Sequence, residues 1–268
     1  MKRLFFGIFL LFFVISLNAE PKSTKLPHKP YWKKIYKNNF LFGINDEIDL
    51  ILNKDGFSIG YSNKYRQAIW VSYVLFSNNL KIKQEKRSNK FKSDIEVANP
   101  VQPQDYSKTG YDRGHLAPAA DMTYSIKSME ASFLMTNITP QLPGCNRGIW
   151  RRIENQVREW ALDEEILYVI TGPIFDDKSD NKLGNTDIPI PIAFYKIVFD
   201  LTPPCKMIGF IVPNETTKRR VASFVVSVDE IEELIDVDFF TALPDADEKI
   251  LEAQKDFNLW NNTEKKVI

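Results

Sequence analysis

Tyr111-Asp112-Arg113-Gly114-His115-Leu116-Ala117-Pro118-Ala119-Ala120-Asp121 is the stretch from which the rest of the chain can be read. Only two histidines occur in 268 residues, and the other, His28, lies in the N-terminal segment. Imidazole is the side chain whose ordinary pKa lies near neutrality, so a reaction needing a proton acceptor there has one natural candidate, His115. Arg113 adds a permanent planar charge suited to phosphate, and Gly114 permits a close backbone approach that a side chain would block. Together these residues point to chemistry on a phosphodiester.

Upstream, Met1-Lys2-Arg3 precedes an apolar run from Leu4 to Leu17 and then Asn18-Ala19-Glu20-Pro21. A basic start, an apolar middle and a small residue before the cut is the order of a secretion signal, and the run is shorter than the roughly 20 residues that span a bilayer. Residues 1–19 are therefore predicted to be a signal peptide. The mature protein is expected to be secreted or periplasmic, with no stable membrane association after cleavage. Residues 20–39, with Pro21, Pro27 and Pro30 among lysines, read as a flexible lead-in, 40–250 as one domain and 251–268 as a C-terminal tail.

Strand-like runs occupy Gly56 to Tyr61, Gln67 to Phe76, Ile166 to Thr171, Ala193 to Asp200 and Met207 to Val212. Residues 81–110 read as a long surface loop and Ser128 to Met135 as a short helix, which Asn137-Ile138-Thr139-Pro140-Gln141 breaks. Ile149, Ile153, Val157, Trp160 and Ala161 recur at helical steps, so 147–162 is predicted to be an amphipathic helix. Asp229 to Leu234 opens a late helix. Strands and helices mix without regular alternation, which predicts an α+β fold: a central, mostly antiparallel sheet with helices packed on it. On the amphipathic helix, Asn146, Trp150, Glu154 and Arg158 stand four residues apart and would share one side at the rim of the core. For the helix alone, an ordinary i, i+4 ion pair between Glu154 and Arg158 is the simpler reading.

The ordered blocks Asp112-Arg113-Gly114-His115, Thr136-Asn137-Ile138-Thr139-Pro140-Gln141 and Asn146-x-x-x-Trp150-x-x-x-Glu154 change that balance. With Tyr168-Val169-Ile170-Thr171-Gly172-Pro173, Ile190-Pro191-x-x-Phe194-Tyr195-Lys196, Val212-Pro213-Asn214 and Asp238-Phe239-Phe240, the chain resembles the DNA/RNA non-specific endonuclease family, the ββα-metal nucleases of the endonuclease G type, from about residue 55 to Asp245. The resemblance implies a ββα-metal nuclease core, His115 as general base and Asn146 as the metal-ligating asparagine, with Mg2+ as cofactor and Mn2+ able to substitute. It further implies Glu154 as a carboxylate that orders metal-bound water, Arg113 and Arg158 near the scissile phosphate, and Asn137 as a further active-site asparagine. Arg87, upstream of the histidine block, is the candidate for a substrate-binding arginine, and Asp112 reads as a structural anchor of its motif. The implied products carry 5′-phosphate ends, the substrates are DNA and RNA, and a homodimer is an option that relatives offer.

The sequence holds no zinc-finger spacing, RNP motif or other base-reading element, so little sequence or sugar specificity is expected. After residues 1–19 are removed, 33 basic residues face 35 acidic ones, a formal charge of −2, so global charge does not recruit nucleic acid. Distribution matters more: Lys81, Lys83, Lys86, Arg87, Lys90 and Lys92 cluster, whereas Asp229 to Asp238 is heavily acidic. Cys145 and Cys205 are read either as one disulfide in an oxidising compartment or as two thiols. A secreted nucleic-acid-binding module of the same fold without turnover is the alternative function, although every proposed catalytic position carries a competent residue. A Ser/His/Asp hydrolase lacks a Gly-x-Ser-x-Gly elbow, and a closed zinc site lacks ligand spacing. With His115 as the base, activity is expected to fall as its imidazole becomes protonated.

Overall fold

The computed structural model describes residues 48–82 and 85–261. The expected signal peptide and lead-in, with the rest of residues 1–47, Lys83, Gln84 and residues 262–268, lie outside them. Nine strands are described: β1 (Leu50–Lys54), β2 (Phe57–Ser62), β3 (Gln67–Phe76), β4 (Asp112–His115), β5 (Ile138–Gln141), β6 (Ile166–Ile174), β7 (Ala193–Asp200), β8 (Lys206–Pro213) and β9 (Val225–Val226). The helices are α1 (Ser77–Lys81), α2 (Ile126–Ser132), α3 (Arg151–Glu164), α4 (Val228–Ile235) and α5 (Asp245–Glu252). Seven strands form one antiparallel sheet in the order β1-β2-β3-β6-β7-β8-β9, and β4 pairs with β5 in a separate ribbon. The α+β expectation agrees with this architecture.

The central strands are apolar on both faces because both faces are covered. Along β7, Phe194 and Val198 enter the core beneath α3, where Ile153, Val157, Trp160 and Ala161 pack. The alternate residues Tyr195, Ile197 and Phe199 enter a second core with Val228 and Ile231 of α4 and Leu251 of α5. Period-two alternation thus assigns each residue a layer. Phe239 and Phe240 close the second core: the Phe240 ring meets Phe199 edge-on at 5.6 Å, and Phe239 lies 5.9 Å from Tyr195. Each fully buried aromatic of this kind contributes on the order of 1.5–3 kcal/mol through apolar burial.

Two expectations are corrected and one open choice is decided. Residues Ile138–Gln141 do not merely end a helix; they form β5, paired as His115↔Ile138, Gly114↔Thr139, Arg113↔Pro140 and Asp112↔Gln141. Proline is tolerated because this ribbon has only two strands and an open edge. Residues 251–261 are not a loose tail, since Trp260 is buried 4.7 Å from Trp160 and Gln254 Oε1 accepts the Met207 N–H at 2.8 Å. For Cys145 and Cys205, where the sequence left a disulfide and two thiols open, the structure has two buried thiols. Cys145 belongs to the core under α3 and Cys205 to the core on the opposite sheet face, so the sheet stands between them.

The loop after α1 runs over the surface but is anchored. Asp94 is buried, accepts from Thr136 Oγ1 at 2.7 Å and pairs with Lys54 at 2.7 Å. Gln67 of β3 accepts from Thr139 Oγ1 at 2.7 Å, fastening the ribbon to the main sheet. These buried polar links set where the ribbon sits relative to α3.

Candidate active site

The ribbon and the first turn of α3 build a pocket of about 180 Å3 lined by His115, Asn146, Glu154, Arg87, Arg147 and Arg151, together with backbone and small side chains at Pro118–Ala120. Gly114 leaves room beside it for Gln141 of the paired strand, whose side chain would lie 2.2 Å from a Cβ there and would have to shift. Its neighbour His115 is nearly buried, with Phe133 edge-on at 4.8 Å and Phe91 at 5.5 Å. The imidazole Nε2 has no hydrogen-bond partner. Burial first, and then the Arg87 charge, push the His115 pKa down to about 3, so the ring is neutral at any ordinary pH.

The backbone beyond His115 is held by Asn137. Its Oδ1 accepts from Ala117 N–H at 2.9 Å, and its Nδ2 donates to the carbonyls of Ala117 and Ser132, each at 2.9 Å. Asn137 is fully buried and its amide is spent on these contacts, so it clamps the histidine turn from behind and does not line the pocket. Trp150 completes the support, with its indole N–H donating to the His115 carbonyl at 3.4 Å.

Asn146 stands in a wide π-helical turn, Cys145–Trp150, that leads into α3. The turn contains Gly148 at φ −103° and ψ −108°, a kink that interrupts regular helical geometry. The even row of four-residue steps expected from the sequence is therefore broken. Asn146 and Glu154 reach the pocket, Trp150 turns into the core, and Arg158 faces elsewhere. Such π turns recur at functional sites because they re-aim side chains at the expense of regular hydrogen bonding. Asn214 fixes the preceding loop by accepting from Leu142 N–H at 2.8 Å and donating to the carbonyls of Pro140 and Pro191.

Asp112 orients Asn146. Its Oδ2 accepts from Asn146 Nδ2 at 2.9 Å, and both of its oxygens engage Arg147, at 2.7 and 2.5 Å. Burial alone would raise the Asp112 pKa, but the hydrogen bonds from Arg147 and Asn146 and the Arg147 charge outweigh it and lower the value. The carboxylate stays ionised, and with Nδ2 occupied the Asn146 Oδ1 is the amide atom left for a ligand.

Glu154 lies among charges of both signs. Burial raises its pKa to about 7 against the lowering effect of Lys196 and Arg158. Lys196, on the α3 face of β7, is buried with Nζ 4.7 Å from the Trp150 ring and no hydrogen-bond partner. Burial brings its pKa down to about 8, while Glu154 and Asp121 oppose the fall. Arg158 donates to Asp121 at 2.7 Å, and Asp121 also accepts from Tyr73 OH at 2.8 Å. Arg158 lines a neighbouring groove with Glu85 and Lys86 and not the His115 pocket. Arg113 is likewise outside the lining: Nε and Nη2 donate to the Pro103 carbonyl at 3.1 and 2.9 Å, and its guanidinium covers Phe91 at 5.0 Å. Arg87, by contrast, is at the pocket, with its guanidinium 5.4 Å from the Phe133 ring.

Arg147, Arg151 and Lys196 are the pocket and near-pocket residues that the sequence reading passed over as chemistry. Arg151 carried a signal, standing three residues before Glu154 on the same helix side. Lys196 carried only its place in a motif, since nothing local distinguishes a buried lysine from a surface one on a strand.

Residues 33–246 match the family model described as DNA/RNA non-specific endonuclease. A nuclease from Nostoc sp. is 32% identical over 205 residues, covering 71% of this chain and 73% of that protein. The mitochondrial nuclease of Saccharomyces cerevisiae is 27% identical over 236 residues, covering 79% and 72%, and human mitochondrial endonuclease G is 27% identical over 195 residues, covering 67% and 66%. A chain from the crystal structure of an EndoG/EndoGI complex shares the fold with a TM-score of 0.68 at 24% identity, covering 81% of this chain and 94% of that one. With a ββα ribbon and helix carrying a neutral histidine, a pinned asparagine and flanking arginines, the chain belongs to the DNA/RNA non-specific endonuclease family and is a nuclease.

Proposed function

We propose that this nuclease is a Mg2+-dependent endonuclease in which His115 is the general base, Asn146 the protein ligand of the metal, and Glu154 the carboxylate that orders water around it. One observation carries the reading: a neutral imidazole whose buried Nε2 has no partner lines the same pocket as an amide whose nitrogen is already committed and a carboxylate. The donor set suits a hard cation, because an amide oxygen and a carboxylate are oxygen ligands and no thiolate or second imidazole competes. When bound, Mg2+, or Mn2+ in its place, would stabilise charge developing on the scissile phosphate and on the leaving 3′ oxygen.

The chain's own residues supply the rest. His115 takes the proton of an attacking water, so no covalent enzyme intermediate is needed. Its basicity is low in the free site, and the negative charge of a bound phosphodiester raises it. Arg87 and Arg151 present guanidinium groups that can engage phosphate oxygens as charge builds there. Asp112 and Arg147 keep Asn146 in place, while Arg113, Asn137 and Arg158 brace the surrounding loops. Departure of the 3′ oxygen leaves 5′-phosphate ends. Because these groups address phosphate and none tests a base edge or a 2′-hydroxyl, DNA and RNA are both substrates. We further place the mature protein outside the cytoplasm, secreted or periplasmic, on the strength of the basic, apolar and small-residue order at 1–19, and allow a homodimer by analogy with relatives.

Plasmid DNA and RNA incubated with the purified protein in Mg2+ or EDTA, beside His115→Ala, test the proposal. Cleavage of both substrates that stops in EDTA and in the variant is expected. Cleavage that survives EDTA, or a variant with the wild-type rate, overturns it.

A further inference from the structure

On the sheet face opposite the nuclease pocket, the acidic stretch seen in the sequence acquires a geometry. Asp229 and Glu232 stand one turn apart on α4, Glu252 ends α5, and one carboxylate oxygen from each lies within 4.8 Å of the others. Glu252 is only 5% exposed, and its Oε1 has no hydrogen-bond partner. Glu248, one helical turn earlier on α5, holds a second buried carboxylate oxygen without a partner. Glu232 Oε1 accepts the Phe239 backbone N–H at 2.6 Å, which fixes that carboxylate toward the junction between the helices. Among the described residues no ion pair engages Asp229, Glu232, Glu248 or Glu252. Lys249 of α5 acts on Asp229 through its charge without forming an ion pair, and Lys255 is bound by Glu230 on α4.

A buried carboxylate oxygen without a donor is costly, and like charges this close repel. Nature resolves such a cluster with a cation or with protons. We propose that Asp229, Glu232 and Glu252, with Glu248 at the edge, form a structural Ca2+ site that ties α4 to α5. Ca2+ fits this donor set because it accepts carboxylates in a flexible shell of six to eight oxygens, whereas Mg2+ demands near-octahedral geometry and gives up its waters reluctantly. Three carboxylates over-neutralise the ion by one charge, and exposed Asp229 leaves one side open to water ligands. Since α4 and α5 pack on the second core and α3 on the first, this site is separate from the one that holds Asn146. The competing resolution is proton sharing: with no cation, burial and the neighbouring carboxylates push Glu252 up to about 9.

Thermal unfolding of the chelator-treated protein in CaCl2, against NaCl of equal ionic strength, separates the two. Ca2+ at about a hundredfold excess over its dissociation constant is expected to raise Tm by roughly 5–10 °C. The rise should persist in Asn146→Ala, which removes the proposed catalytic ligand, and disappear in Glu252→Gln. Glu252→Gln should also melt no lower than wild type without Ca2+, because the amide relieves like-charge repulsion. Asp229→Asn, at an exposed position that cannot disturb the core, should shift the Ca2+ titration to higher concentration. A wild-type Tm unmoved by Ca2+ means that protons alone satisfy the cluster and overturns the proposal. So does a full response in Glu252→Gln together with an unshifted titration in Asp229→Asn, or a response lost in Asn146→Ala, either of which puts the ion elsewhere.

Discussion

The two faces of the sheet each carry a knot of buried charge, and the knots are built on opposite rules. Around the nuclease pocket, Glu154 faces Lys196, Arg158 and Arg87 as well as Asp121, so charges of both signs offset one another. Beneath α4 and α5, Asp229, Glu232, Glu248 and Glu252 repel one another, and the cation that acts on the cluster, Lys249, reaches Asp229 alone. Above about pH 7 the mixed knot stays ionised without a guest and is free to use its charges on a substrate. The acidic knot leaves Glu232, Glu248 and Glu252 to an ion or to protons. A pocket evolved for turnover therefore needs internal counter-charge, while a helix junction can leave compensation to an ion.

The sharpest way to break this contrast is to remove the proposed base. His115→Ala should lower kcat by about 10^2- to 10^4-fold with the fold retained, as measured on a fluorogenic oligonucleotide and by circular dichroism. Next in size is Asn137→Ala, which strips partners from the Ala117 N–H and from two buried carbonyls. A loss on the order of 3 kcal/mol in urea unfolding is expected, larger than its direct effect on chemistry, because Asn137 clamps and does not touch the pocket. Wild-type stability in the variant would show that the clamp is redundant.

Glu154→Gln should lower kcat by roughly 10- to 100-fold and also change the pH profile. The sign follows from the two shifts: His115 remains neutral down to about 3, while Glu154 loses its charge as pH falls through about 7. Activity should thus rise with pH through about 7, and the limb should flatten in Glu154→Gln. A limb that survives the substitution returns the titration to another group. Lys196→Met sharpens the same point more gently. Removing the buried cation should move that limb to higher pH, since Lys196 lowers the Glu154 pKa, with little cost in stability because the lost ammonium had no hydrogen-bond partner. An unmoved limb would mean that the two groups do not interact.

The smallest effect concerns the cysteines. Two thiols should titrate in the unfolded, unreduced protein, and a reductant should leave Tm unchanged. Burial pushes the Cys145 thiol up to about 12, so it should also resist alkylation in the native state. A mass two units low, from a disulfide, would contradict the separation of the two cysteines by the sheet.

Much of the fold was legible locally. β3, β6, β7 and β8 each announced themselves as apolar runs between turn residues, and α3 showed its stripe, because a buried strand or amphipathic helix must write its period into the chain. β5 was not legible. Ile138-Thr139-Pro140-Gln141 has no strand signature of its own, and its pairing with β4, where the Gln141 side chain packs over Gly114, shows only in the tertiary structure. Residues 251–261 were equally mute, since Trp260 reads as tail until Trp160 is beside it.

At the pocket, the resemblance of their blocks to the family singled out His115, Asn146 and Glu154, which do line it, and the choice among the arginines was not legible. Arg113 and Arg158 looked as suitable for phosphate as Arg87, yet the structure spends the first on the Pro103 carbonyl and the second on Asp121, and turns Arg87 and Arg151 to the pocket. By itself, then, the sequence determined which chemical groups are present, the class of fold, and the single histidine able to act near neutrality. Only the tertiary structure decided which charges are neutralised, which are buried, and which remain for a ligand. Burial and counter-charge are properties of neighbours distant along the chain, and a residue's own identity does not contain them.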